Sequence, residues 1–467
     1  MLAIPGIAAL IIFIYARPQE FFERLRVVPF LYVFFALALV GGVLDFRMGN
    51  VRLRLTPQLP WVALFFVWSA CTVLIRVPGS ALTHITGLAI CVALYALIAH
   101  GVHTFRSLHI VAGIVFAMVL LVCAVGAHQG FAPMGCVVID ASSKSGPTAG
   151  TPDGRPCDTV RACYLDDADP GTEYACEHIG LFGTTSVGGG RVRYRGVLQD
   201  PNELALAGGI GLPLGFAFGQ VRRKKALGRR TLPALAFVLV LVCAVLTASR
   251  GGQLVFSVVL GAYFLNRFGP AGLTFGAILA TPLLLFGGRS GEEASSSTLE
   301  RIDCWAEALS IWRSHPLLGV GLGQFGEYNY MTAHNSYLLA LSELGLPGMI
   351  LFSIIVYLSA KIPITVLREI TPSAGDAIFG GASIARPWAM ALTAAFAGLG
   401  AGIFLLSFTY HYVLWIYIGL SGALYSAVRT HVPTFKVRFG WRDLALVTAL
   451  DGAIVVGVYS YTKWVLG

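Results

Sequence analysis

The sequence predicts an all-α membrane protein, a polytopic helix bundle of about 12–13 spans, and three observations predict it. Apolar residues fill 56% of the 467 positions and charged residues 12%, against roughly 45–50% and 25% in an ordinary soluble domain. Apolar runs recur that match a bilayer core of about 30 Å, which takes roughly 20 residues as helix. The runs are continuous rather than alternating, which selects helices over a closed barrel as the way to satisfy backbone amides in hydrocarbon.

The candidate runs lie near 2–16, 27–44, 59–78, 82–99, 108–128, 201–219, 231–247, 252–266, 270–286, 336–357, 388–407, 411–428 and 443–463. The first is short and lacks the basic start and small-residue cleavage site of a signal peptide, so it is expected to remain as a helix or re-entrant segment. The organisation that follows is N-terminal spans in 1–128, a polar loop in 129–200, central spans in 201–286, a second polar loop in 287–335 and C-terminal spans in 336–467. Basic residues in short loops are retained on the inner side. The run Arg222, Arg223, Lys224, Lys225, Arg229, Arg230 therefore sets the N-terminus inside and both long loops outside. The net charge of +9 then mostly reflects topology, and no nucleic-acid partner is expected.

Loop 129–200 turns abruptly rich in Gly, Ser, Thr, Asp and Pro and has no long helical period, so it reads as irregular or short-stranded. Four of the nine cysteines, Cys136, Cys157, Cys163 and Cys176, fall in it. An even cluster in an exported loop suggests two disulfides, with three pairings open. A zinc site is the alternative, but neither C-x-x-C nor a histidine pair accompanies the cysteines. Asp166, Asp167 and Asp169 form a D-x-D, read here as a solvated acidic turn rather than a metal site. Arg191, Arg193 and Arg195 crowd the boundary before the span at 201, where cations suit an anionic headgroup or a diphosphate.

In loop 287–335, Leu299, Ile302, Trp305, Leu309 and Trp312 recur every three or four residues, which predicts an amphipathic helix lying on the outer leaflet. It is followed by "HPLLGVGLGQF", in which Pro316 stops the helix and Gly319, Gly321 and Gly323 give a bendable backbone. Without a preceding strand this G-x-G-x-G is not a nucleotide-binding loop. In "MTAHNSYLLALSELGLPGMILF", His334 opens a span whose first amides Asn335 and Ser336 can cap.

That last string, the preceding "RIDCWAEALSIWRSHPLLGVGLGQF", the earlier "RGVLQDPNELA" and the "TASRGGQL" of 247–254 together resemble the bacterial O-antigen ligase and O-antigen polymerase family. The resemblance covers about 195–350 closely and the flanking spans only by number and hydropathy. It implies a GT-C-like bundle in the bacterial inner membrane. There a glycosyltransferase of lipopolysaccharide or polysaccharide biosynthesis takes a glycan from undecaprenyl diphosphate at the periplasmic face. The acceptor is a second lipid-linked repeat unit (polymerase), lipid A-core (ligase) or a protein (O-oligosaccharyltransferase). Polymerase is the first expectation. The resemblance further implies no metal, no nucleotide sugar and no other cofactor. It implies catalytic roles for His334, for Arg250 of "SRGG" and for Arg195 before the D-P-N string. The cysteine-bearing insertion departs from the family's usual pattern and bears on the acceptor.

The residues read by themselves agree. Displacing a diphosphate needs charge stabilisation on the leaving group, which arginine supplies bidentately without losing its proton. It also needs a group to take the acceptor's proton, and a histidine of ordinary pKa about 6.5 can do so near neutrality. The plainer roles are a topology anchor for Arg250 or Arg195 and a hydrogen-bonded boundary histidine for His334. Secondary candidates for substrate binding are Arg193, Arg289, Arg301, Asn335, Asp200 and Glu343. Asp200 is also suited to cap the span that begins with Pro201 and Asn202. Glu343 is expected to pair with an arginine or to orient His334. His100 and His103 read as ordinary loop residues, and "YARPQEFFERLR" at 15–26 as an aromatic and charged anchor. A transporter is the rival from another class; it would favour ionisable groups at mid-membrane, where only Asp451 stands out.

Overall fold

The computed structural model describes residues 2–49, 54–139, 150–165, 168, 171–221, 228–286, 288, 292–370 and 381–467. Asp166, Asp167, Asp169 and Arg289 lie outside the described residues, as do Arg222, Arg223, Lys224 and Lys225. Fourteen α-helices are described, with one small sheet. Each apolar run read from the sequence forms one of them. They are α1 (Ala3–Ala16), α2 (Phe30–Arg47), α3 (Leu59–Arg76), α4 (Ala81–Gly101), α5 (Phe105–Gly130), α6 (Pro201–Val221), α7 (Gly228–Leu246), α8 (Arg250–Phe268), α9 (Ala271–Phe286), α11 (Ser336–Glu369), α12 (Gly381–Ile403), α13 (Tyr412–His431) and α14 (Trp441–Leu466). The remaining helix, α10 (Glu292–Ser314), is the amphipathic one. By length and composition seven segments can cross a membrane, namely α2, α3, Pro78–Gly101, α5, α6, α11 and α14. The other apolar helices are shorter or less apolar, so the expected dozen spans contains seven full-length ones among the described residues.

The chain divides into two compact units. One comprises Met1–Ile4, Ala38–Val111 and Ser290–Gly467. Here α13 is buried along its length between α4, α11 and α12, and Phe65 of α3 lies against Phe352 of α11 and Trp415 of α13 at ring distances of 6.3 and 6.2 Å. Part of the apolar face of α10 is covered by protein, while Leu299 is exposed. Ile302, Trp305 and Leu309 are buried, the helix packs on α11 and α14, and Trp305 meets the rings of Phe404 and Tyr461. The same 3.6-residue period serves a lipid surface or a protein groove, so the pattern could not choose.

The other unit comprises Pro5–Leu37 and Ala112–Arg289. Its centre is α6, whose glycines admit neighbours closely. A Cβ on Gly211 would sit 2.7 Å from Val119 of α5, on Gly215 2.6 Å from Phe116, and on Gly252 of α8 2.3 Å from Ala205 of α6. Small residues let helices pack backbone to backbone where lipid supplies no hydrophobic drive. Beyond α5 the chain leaves the bundle as a three-stranded antiparallel sheet, ordered β2 (Thr151–Pro156), β1 (Met134–Ile139), β3 (Glu173–His178). The two expected disulfides form here, Cys136–Cys163 and Cys157–Cys176. Closing loops of 27 and 19 residues, each stabilises by about 3 kcal/mol in the chain-entropy account. A module with so small a core depends on such staples.

Candidate functional site

In the unit built around α6, two motifs far apart in sequence are tied together. Asp200 caps α6, its Oδ1 accepting from the Asn202 amide at 2.6 Å and from Asn202 Nδ2 at 2.7 Å. Asn202 Oδ1 in turn accepts from Ser249 Oγ at 2.6 Å, and Ser249 Oγ accepts from the Gly252 amide at 2.9 Å, capping α8. The strings "DPNE" and "SRGG" are therefore two helix starts joined by one buried chain of hydrogen bonds. Arg250 is the first residue of α8 and its side chain is exposed. Nothing bulkier than Gly252 fits behind it, because α8 touches α6 there.

The three boundary arginines are held by the same unit's backbone. Arg191 Nε donates to the Thr247 carbonyl at 3.1 Å. Arg193 Nε donates to the Thr185 carbonyl at 3.0 Å and its Nη2 to Thr185 Oγ1 at 3.3 Å. Arg195 donates through Nη1 to the Glu20 carbonyl at 3.1 Å and through Nη2 to the Gly183 carbonyl, and its guanidinium lies over the Phe21 ring at 5.2 Å. Burial lowers the pKa of both Arg193 and Arg195, with Glu177 and Asp200 opposing at the first and Glu20 at the second. Neither loses its charge, since arginine starts so high. The anchor segment 15–26 is thus the floor on which Arg195 rests. Gly196 follows at φ +63°, a left-handed conformation that favours glycine, and a Cβ there would also crowd the Arg17 side chain.

In the unit that contains α11, His334 precedes the N-cap Asn335 and adopts φ +47°. A non-glycine residue in the left-handed region costs about 1–2 kcal/mol, and such positions concentrate at functional sites. Asn335 is fully buried, and its Oδ1 accepts from the amides of Tyr337 and Leu338 at 3.0 and 3.1 Å. Ser336 does not cap as expected. Its Oγ donates to the Leu406 carbonyl at 2.6 Å and accepts from the Phe408 amide at 2.7 Å, fastening the helix start to the segment before α13.

Glu343 is held by main-chain donors, which the sequence did not suggest. Its carboxylate accepts from the backbone amides of Gly323 at 2.9 Å and Phe325 at 3.0 Å, and the Tyr410 hydroxyl lies beside it. The Gly321 amide donates to the Glu343 carbonyl at 2.8 Å, and that of Val320 to the Ser342 carbonyl at 3.0 Å. The G-x-G-x-G run is therefore a strand of main chain laid along the kinked start of α11. Gly345 supplies the kink at φ +70°, where a Cβ would meet the Leu317 carbonyl oxygen at 2.1 Å. His84 of α4, not singled out from sequence, joins this cluster through Gln324, Nε2 to Nε2 at 3.1 Å. It was hidden inside an apolar run. Arg301 is half-buried on α10. His100 and His103 are not solvated loop residues. His103 is 6% exposed, and burial pushes its imidazole down to about 4.

The sequence-predicted residues thus fall in separate units, Asp200, Asn202, Arg250 and the boundary arginines in one and His334, Asn335 and Glu343 in the other. No curated protein matches the chain. Residues 235–353 run from α7 through the Ser-Arg-Gly-Gly turn, α10 and the glycine run to His334 and the kink of α11. They match the family model described as O-antigen ligase.

Proposed function

We propose that the protein transfers a glycan from undecaprenyl diphosphate to a saccharide acceptor at the periplasmic face of the bacterial inner membrane. Extension of a second lipid-linked glycan, polymerisation, is the first reading. The acceptor hydroxyl attacks the anomeric carbon in line, so the new glycosidic bond forms as the bond to the diphosphate oxygen breaks, and the anomeric configuration inverts. His334 takes the hydroxyl proton, and Arg250 with Arg195 stabilises the departing polyprenyl diphosphate. No metal ion takes part in this scheme.

The observation that carries the reading is the chain Asp200–Asn202–Ser249. It ties the start of α8, where Arg250 stands, to a second motif, and Arg250 lies in the segment that matches the O-antigen ligase family model. Preorganised cations of this kind suit a leaving group whose charge grows in the transition state. Ligation to lipid A-core is the second reading, favoured by the description of the matched family.

The test is glycan transfer by purified protein from an undecaprenyl-diphosphate-linked donor, with and without EDTA. Activity is expected to survive the chelator and to fall by about 10²–10⁴ in His334→Ala and comparably in Arg250→Ala. Full turnover by either variant removes that residue from the scheme. Deleting the gene and resolving the surface glycans separates the acceptors. A single repeat on lipid A-core marks a lost polymerase, and unattached long chains mark a lost ligase.

A further inference from the structure

A second cationic site lies away from the residues discussed so far, at the end of α14 in the α11-containing unit. There α10 and α14 border an open cavity of about 230 Å³, lined by Leu309 and Arg313 of α10 and by Tyr459, Lys463, Leu466 and Gly467 at the end of α14. Arg313 ends α10, Lys463 is in the last turn of α14, and the Arg313 guanidinium stands 5.9 Å from the Tyr459 ring. None of the described residues lining the cavity is acidic. Two cations thus border one concavity whose described lining side chains include no carboxylate.

The position of that concavity narrows what can fill it. α14 is one of the seven candidate spans and is mostly exposed within the protein, with Leu450, Val456 and Trp464 on its outer face. Trp441 at its start and Trp464 at its end are 76% and 79% exposed. Tryptophans at both ends of a span mark the headgroup levels of the bilayer. Lys463 adjoins Trp464, so the cations stand at the level of the lipid phosphates.

We infer that this cavity binds the phosphate of an anionic phospholipid headgroup. The guanidinium and ammonium take the phosphate oxygens, and the Tyr459 hydroxyl is in place to donate to an ester oxygen. The site is independent of glycan transfer and calls for no activity from the protein.

Native mass spectrometry of the purified, delipidated protein tests it, titrating phosphatidylglycerol and phosphatidylcholine separately and using inorganic phosphate as competitor. Phosphatidylglycerol is expected to bind preferentially. Arg313→Gln and Lys463→Gln are each expected to weaken it about fivefold, and the double variant to abolish the preference. Leu466→Trp keeps both cations but narrows the cavity, and is likewise expected to weaken phosphatidylglycerol. Arg442→Gln removes an exposed cation at the opposite end of α14 and is expected to leave binding unchanged. Equal binding of the two lipids, an unchanged double variant, or an equal loss in Arg442→Gln overturns the site. Displacement of the lipid by millimolar inorganic phosphate overturns the lipid as its source and leaves a free-phosphate site.

Discussion

Ser249 Oγ donates to Asn202 Oδ1 at 2.6 Å, both residues are buried, and 47 positions separate them. Each side chain is tied to a helix start, that of Asn202 donating from Nδ2 to the capping carboxylate of Asp200 and that of Ser249 accepting from the Gly252 amide. Removing Ser249 therefore frees a cap as well as a bond, whereas Asn202→Ala keeps the backbone amide that Asp200 caps.

Asn202→Ala leaves the Ser249 hydroxyl without its acceptor, and Ser249→Ala removes the cap of α8. Each is expected to cost about 1–3 kcal/mol. Because the two share one bond, the double variant should be less destabilised than the sum, with a coupling of about 1 kcal/mol. Thermal unfolding of the four proteins in detergent measures this. Strict additivity would mean that the motifs are not coupled.

Gly252→Ala forces α6 and α8 apart, since the new methyl would lie 2.3 Å from that of Ala205. Overpacking of this kind costs about 1–3 kcal/mol. It should also lower glycan transfer by displacing Arg250, two residues earlier. Pairing it with Ala205→Gly gives back the space, and the double variant is expected to recover both stability and turnover. A double variant as impaired as Gly252→Ala would show that the glycine serves something other than this contact.

How much of this was legible beforehand follows from what a sequence pattern can encode. Hydropathy alone located every described apolar helix, because a run that satisfies its own backbone in hydrocarbon needs no knowledge of its neighbours. The cysteine cluster likewise declared its disulfides, though not which of three pairings forms. Glu343 was recognised as unusual but its amide partners were not foreseen, because those of Gly323 and Phe325 are main-chain donors, and a backbone donor leaves no trace in residue identity. His84 and Gln324 gave no signal at all, since their pairing crosses 240 positions.

Glu343→Gln tests the amide cradle directly. The carboxylate offers an oxygen to each amide, whereas the amide side chain offers one oxygen and an NH₂, leaving one buried N–H without an acceptor. A cost of about 1–3 kcal/mol follows. Hydrogen–deuterium exchange should quicken at Gly323 and Phe325 more than in α13. Uniform change across the unit would argue for global loosening instead.

His103 sets a pH dependence whose sign can be worked out. Burial pushes its imidazole down to about 4 from an ordinary value of about 6.5. Between those values the unfolded chain binds the proton that the folded protein refuses, so stability is lost as pH falls through that window. The shift corresponds to about 1–2 kcal/mol after allowance for partial solvent screening. In His103→Gln the midpoint should fall less between pH 6.5 and 4 than in the parent. Identical pH profiles would show that His103 does not contribute.

Position 334 separates backbone from imidazole. With φ at +47°, alanine keeps the left-handed strain, glycine relieves it, and asparagine tolerates it better than most. The expected order of thermal stability is therefore His334→Gly and His334→Asn above His334→Ala, by about 1 kcal/mol. Proton transfer has no such order, since none of the three replacements can accept a proton near neutrality. All three should lose glycan transfer alike. If turnover instead follows stability, with the asparagine and glycine variants active, the residue serves to shape the turn before α11, and the proton of the acceptor must leave by another group.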